Sequence, residues 1–179
     1  FVLDVSCSMA GAPLEASKHL VDAMLARARP TDTFRIIVFG GSARELMASP
    51  LTATPDNLAH ARERLGSLSA NGGTEIETGI RAALEPKIVD DRTRIVLFLT
   101  DGFIGDEGSV MATINEVRGR ARLFSFGVGD GVNRWLLDEM AIAGHGASRI
   151  VAIGDDPVVA ADEIAARLDA PILTDAWID

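Results

Sequence analysis

Five short runs dominated by Val, Ile, Leu and Phe recur along the chain, at Phe1 to Val5, Phe34 to Phe39, Ile95 to Leu99, Leu123 to Val128 and Arg149 to Ile153. Strands that are apolar at consecutive positions must be buried on both faces, which is the habit of parallel sheets and not of half-exposed antiparallel ones. Between the runs lie stretches with helical periodicity: Pro13 to Ala28, Pro55 to Leu68, Glu75 to Leu84, Asp106 to Arg118, Asn133 to Ala143 and Pro157 to Leu168. Strands alternating with helices predict a doubly wound α/β fold with a mostly parallel central sheet and helices on both faces. A shorter segment, Ala43 to Met47, follows Gly40-Gly41 and is expected as an antiparallel edge strand against Phe34 to Phe39.

Helix boundaries carry their own chemistry. Thr54-Pro55-Asp56 and Asp156-Pro157 place a capping side chain ahead of Pro at a first helical turn, and Arg118-Gly119 and Ala143-Gly144 are helix stops. No repeat, low-complexity tract or interdomain linker interrupts the pattern, so residues 1–179 are read as one domain. Phe1-Val2-Leu3 reads as core strand with no polar lead-in, which suggests a module excised from a longer protein, with residues 171–179 beginning the connection to a following one.

The first strand ends in Asp4-Val5-Ser6-Cys7-Ser8. Residues two apart in extended backbone point the same way, so Asp4, Ser6 and Ser8 are expected to converge while Val5 and Cys7 face elsewhere. A carboxylate and two hydroxyls are hard oxygen donors, suited to magnesium, manganese or calcium. Two further loops add donors. Asn71-Gly72-Gly73-Thr74 leads into a helix with Thr74 at a natural cap position, and Thr100-Asp101-Gly102 puts Asp101 at the carboxyl end of a fully apolar strand. That edge is where ligands bind in open α/β sheets.

The segments Asp4-Val5-Ser6-Cys7-Ser8-Met9, Gly72-Gly73-Thr74 and Leu99-Thr100-Asp101-Gly102 resemble, in order and spacing, the von Willebrand factor type A family. Its metal-ion-dependent adhesion site uses a DxSxS segment, a separate Thr and a separate Asp. Phe124-Ser125-Phe126-Gly127-Val128-Gly129 followed by Asn133 resembles the family's fifth strand and its exit. Thr54-Pro55-Asp56-Asn57-Leu58, Asn133-Arg134-Trp135-Leu136-Leu137 and Pro171-Ile172-Leu173-Thr174-Asp175 are similar to the type A domain of bacterial inter-alpha-trypsin-inhibitor-like, VIT-containing proteins. The resemblance implies a Rossmann-like fold and a divalent metal, magnesium or else manganese or calcium, held by Asp4, Ser6, Ser8, Thr74 and Asp101. It implies a rim formed by Met9, Gly11, Asn71, Gly72, Gly73 and Phe103, and a protein partner that offers a Glu or Asp carboxylate to the metal. It further implies a monomeric, non-enzymatic adhesion or interaction module in an exported, periplasmic or cell-surface-anchored bacterial protein. Cys7 departs from the family's usual Gly and is expected to be a partly buried, inert thiol directed away from the metal.

Other readings carry less. Ser6, Ser8 and Thr74 are also residue types that cap helices, and Asp101-Gly102 is an ordinary turn dipeptide. A phosphotransferase or hydrolase of the haloacid-dehalogenase type needs a second carboxylate two residues beyond its strand-end Asp, where this chain has Ser6, and a phosphate-binding Lys for which Lys18 and Lys87 are not placed. A scaffold with a degenerate site is the other alternative. The net charge of -9 disfavours nucleic acid and anionic membranes as partners. No apolar run approaches the length needed to span a bilayer, and a single cysteine allows no internal disulfide.

Overall fold

The computed structural model describes residues 1–48, 50–87, 92–102 and 107–169. A six-stranded sheet is formed by β1 (Val2–Asp4), β3 (Ile37–Phe39), β4 (Ala43–Glu45), β6 (Ile95–Thr100), β7 (Arg122–Val128) and β8 (Ser148–Val151), in the order β4-β3-β1-β6-β7-β8. Only β4 runs antiparallel, pairing Val38 with Arg44 at the sheet's edge. Two short strands, β2 (Thr33–Phe34) and β5 (Leu51–Thr52), form a separate antiparallel ribbon.

Among the described residues six α-helices cover the sheet: α1 (Ala12–Leu25), α2 (Pro55–Gly66), α3 (Ile76–Leu84), α4 (Glu107–Val117), α5 (Arg134–Ala143) and α6 (Pro157–Asp169). Alternation along the strands divides the core between the two faces. Leu3, Val38, Leu97, Leu99, Phe124 and Phe126 pack in one cluster with residues of α1, α2 and α6. Val2, Ile37, Phe39, Val96, Phe98 and Leu123 pack in the other with residues of α3, α4 and α5. Burial on both faces is the reason these runs carry almost no polar residues.

The chain leaves β1 toward β3 and β4, then returns across the sheet to β6 and continues outward to β7 and β8. The order therefore reverses between β1 and β6, the place where open α/β sheets bind ligands beyond the carboxyl ends of the strands. Asp4 closes β1 and Thr100 closes β6, so both strands end in polar residues there.

Two expectations need correction. Phe34 to Phe39 is not one strand: Phe34 pairs with Leu51 in the ribbon, Ile37 to Phe39 pair with β1, and the carbonyl of Ile36 between them accepts from Leu46. The two halves therefore belong to different sheets, joined by Arg35 and Ile36. The alternation predicted through Ser8 also stops early, because Cys7–Met9 form a 3-10 turn closed by Met9 N to Ser6 O at 3.1 Å and Ala10 N to Cys7 O at 3.2 Å. Residues 171–179, expected to begin the connection to a following module, lie outside the described residues.

Candidate metal centre

Asp4 is fully buried at the end of β1, where a lone carboxylate is costly. Its Oδ1 accepts the main-chain N–H of Ser6 at 2.8 Å and its Oδ2 accepts the hydroxyl of Thr100 at 2.6 Å. Burial nonetheless pushes its pKa above the ordinary 3.8, and the nearby Asp101 charge pushes the same way, while the bonds from Ser6 and Thr100 pull it down. Each carboxylate oxygen offers two lone-pair sites. With bonds from the Ser6 main chain and hydroxyl and from Thr100, Asp4 still retains acceptor capacity that a cation would satisfy.

The 3-10 turn folds Ser8 back so that its Oγ lies 3.1 Å from the Oγ of Ser6. Convergence of these hydroxyls thus comes from a turn and not from strand alternation. Neither serine caps a helix: Ser6 precedes the 3-10 turn and Gly11 precedes α1, and neither makes a side-chain cap bond. Ser6 is buried and Ser8 exposed, a gradient from the sheet outward to solvent.

The loop carrying Thr74 is anchored by main-chain bonds. Asn71 N donates to Val5 O at 2.6 Å, Cys7 N to Gly72 O at 3.1 Å, and Glu75 N to Gly40 O at 2.7 Å. A Cβ on Gly40 would stand 2.8 Å from the carbonyl oxygen of Asn71, so only glycine admits this approach. Thr74 does not occupy the predicted cap position; Glu75 does, without a side-chain cap bond, and Thr74 is left half-buried just outside α3.

Asp101 follows β6 and is nearly buried. Thr100, to which sequence reasoning assigned no role, ties it to Asp4: its hydroxyl donates to Asp4 and accepts the N–H of Gly102 at 3.0 Å. Gly102 has φ +75, a conformation that favours glycine directly after the carboxylate. The signal for Thr100 was present in Thr100-Asp101-Gly102, but its partner across the sheet emerges only when β6 pairs with β1.

Rim expectations divide. Gly11, Asn71, Gly72 and Gly73 are exposed, whereas Met9 is fully buried in the core facing α1 and supports the loop from beneath, presenting no surface to a partner. Phe103 lies outside the described residues. Cys7 is exposed, not partly buried, because the turn rotates it to solvent. Among the described residues no group of three or more His, Cys, Asp and Glu gathers as a metal cluster. A cation here would rest on two carboxylates supplemented by hydroxyls. The residues present fit that role: a buried acid beside a second acid, with three hydroxyl groups on adjoining loops and no helix-capping duty for Ser6, Ser8 or Thr74.

Known proteins share the sequence pattern and the fold. The von Willebrand factor type A domain model matches residues 1–150. Human inter-alpha-trypsin inhibitor heavy chain H3 is 30% identical over 187 residues, covering 97% of this chain and 21% of that protein. Human von Willebrand factor A domain-containing protein 5B1 is 26% identical over 180 residues, covering 100% and 15%. The chain therefore spans about a fifth or less of the curated relatives' length. Among solved structures, an aerotolerance-related membrane protein from Bacteroides fragilis, carrying multiple mutations to serine, superposes with a TM-score of 0.80 at 22% identity over 94% of this chain and 96% of that one. Proximal thread matrix protein 1 from mussel byssus, with a zinc-occupied MIDAS motif, gives 0.72 at 18% identity over 92% and 43%. These structural likenesses speak to the fold, and with the sequence match they establish that the chain belongs to the von Willebrand factor type A domain family, a family of protein-interaction and adhesion modules.

Proposed function

We propose that this domain binds one divalent cation through Asp4, Ser6, Ser8, Thr74 and Asp101 and uses it to capture a Glu or Asp carboxylate on a partner protein. The observation that carries the reading is the set of oxygen donors at the carboxyl ends of β1 and β6, where the strand order reverses. There Asp4, the Ser6–Ser8 hydroxyl pair and the Asp101 loop meet, and the Thr74 loop is bonded to the same β1 exit. When bound, the ion would supply positive charge and an open coordination position for an incoming carboxylate. Asp4 and Asp101 together balance a divalent charge formally, and the neutral hydroxyls of Ser6, Ser8 and Thr74 leave the ion electron-poor. Thr100 holds Asp4 in place, and the exposed glycines at 11, 72 and 73 leave room for a partner's backbone.

Oxygen donors favour magnesium, manganese or calcium. The mussel protein with zinc in its MIDAS motif supports a divalent ion and makes zinc a necessary competitor in any test. In this reading the domain is a monomeric binding module without turnover, within a longer exported or surface-anchored protein. The membrane protein from Bacteroides fragilis supports that setting. No helix among the described residues is long and apolar enough to cross a membrane.

Calorimetric titration with magnesium, manganese, calcium and zinc tests the first step, with one site per chain expected. The second step is tested on immobilised peptides that carry Glu or Gln at a single position. Retention of the Glu peptide with magnesium, and its loss with chelator or with Gln, is expected. Equal retention of both peptides would overturn carboxylate capture.

A further inference from the structure

Asn133 lies beyond the five candidate ligands, at the start of α5, yet it touches both sides of the Asp101 loop. Its main-chain N–H donates to the carbonyl of Asp101 at 3.4 Å. Gly102 packs so closely that a Cβ built there would lie 3.3 Å from Asn133 Cβ. Its side-chain Nδ2 donates to Glu107 Oε1 at 2.7 Å, at the first residue of α4, while its Oδ1 accepts Leu136 N at 3.1 Å and caps α5. One residue therefore contacts both Asp101, through its main chain, and Glu107, through its side-chain amide, while capping α5.

From this arrangement we infer that Asn133, braced by Glu107, is a positioning residue for Asp101 in the metal site. The inference rests on the proposed metal function and adds two residues to it. Asp101 leaves the end of β6, beyond the strand's ladder with β7, whose last pair is Thr100 with Gly127. There the Asp101 carbonyl accepts the N–H of Asn133, and the next residue, Gly102, donates its N–H to the Thr100 hydroxyl, which leads to Asp4. The Asn133 cap alone would serve α5. The amide's bond to Glu107 does nothing for α5, and it draws the start of α4 toward the Asp101 turn.

Groups that hold a metal ligand from outside typically alter affinity by about 10–100-fold when removed. Magnesium titration and thermal melts of Asn133→Ser, Glu107→Ala, Glu107→Gln and the Asn133→Ser/Glu107→Ala double variant test the inference. Serine preserves the α5 cap and the main-chain N–H but removes the amide. The expected result is about a tenfold weaker magnesium affinity in Asn133→Ser and Glu107→Ala, no further loss in the double variant, and near-wild-type affinity in Glu107→Gln, whose side-chain oxygen still accepts from Asn133. Single variants that melt earlier yet bind magnesium like wild type would overturn it, since that is the behaviour of a purely structural contact. Loss in Glu107→Gln equal to that in Glu107→Ala would also overturn it, assigning the effect to charge and not to the hydrogen bond. A wild-type protein that takes up no magnesium defeats the metal reading itself, an outcome distinct from wild-type binding unaffected by all four variants.

Discussion

At the amino edge of the sheet, Arg94 donates to the carbonyls of Ala83, Leu84 and Lys87, and Arg35 reaches the carbonyl of Ala82 and the carboxylate of Glu45. Guanidinium groups there close the C-terminus of α3, satisfying carbonyls that a helix end leaves without intrahelical partners. At the carboxyl edge, Asp4 is buried more deeply than either guanidinium, and its partners are the Ser6 main chain and hydroxyl and the Thr100 hydroxyl. Both edges disfavour the charged state by burial, lowering the pKa of Arg94 and raising that of Asp4. The difference lies in the partner. Arg94 directs its donors at the protein's own backbone and so serves the fold, whereas Asp4 keeps capacity for something from outside, so its loss should be felt in binding.

The sharpest break of this contrast is Asp4→Asn, which keeps the shape and an acceptor for Ser6 while removing the charge. Magnesium affinity should fall beyond about a hundredfold, roughly 2.7 kcal/mol at ~1.4 kcal/mol per tenfold, with far-ultraviolet circular dichroism unchanged. Wild-type-like isotherms would abolish the distinction between the edges. Arg94→Ala should do the converse. Unpairing the α3 carbonyls should lower stability in urea by about 1–3 kcal/mol, with magnesium affinity unchanged; a variant defective in both would show that the edges are coupled.

Gly40→Ala sharpens the comparison within the carboxyl edge. The added methyl meets the Asn71 carbonyl at 2.8 Å and must displace the loop that carries Thr74. About a tenfold loss of magnesium affinity is expected, or ~1.4 kcal/mol, and an unaltered isotherm would separate Thr74 from the site. Acidity offers a further test. Because Asp4 has a raised pKa in the folded state, the folded domain holds a proton that the unfolded chain has lost in the window just above 3.8. Its contribution to apo stability is full below that value and fades as pH rises through the folded pKa. Magnesium competes with the same proton, so its stabilising effect should grow over the same window. Urea denaturation with chelator and with magnesium, from acid to neutral pH, should show the Asp4 contribution with opposite slopes. The smallest effect belongs to Cys7→Gly. Since the thiol faces solvent and Cys7 joins the loop network through its main chain, magnesium affinity should shift by less than about threefold, under ~0.7 kcal/mol.

Most of the sheet was legible because burial on both faces leaves an unmistakable record, seen in Ile95–Thr100 and Arg122–Val128. Hydrophobicity does not name a strand's partner, which is why Phe34 to Phe39 read as one element although its halves pair with β5 and β1. At two residues, Leu51–Thr52 is too short for periodicity to register. In the candidate site the residue types and their order were readable as oxygen donors, but Met9 was not readable as core, because its direction follows from a 3-10 turn that sends it inward. The contacts of Thr100 and Asn133 with the site were not readable for a related reason. Their partners, Asp4, Asp101 and Glu107, are brought to them by strand order, and no local spacing announces a contact across 96 residues such as Thr100 to Asp4.

The loops of the candidate site are fastened mainly through peptide groups: Asn71 to Val5, Cys7 to Gly72 and Glu75 to Gly40. Peptide groups are common to all residues except proline, which lacks the N–H, so these fastenings are indifferent to most side-chain replacements. The exposed side chains of Ala10, Asn71 and Glu75 can therefore be exchanged with little disturbance to the geometry beneath them. A module built this way can change what it recognises by drift at its surface while its anchoring chemistry stays fixed, which separates the evolution of selectivity from the evolution of strength.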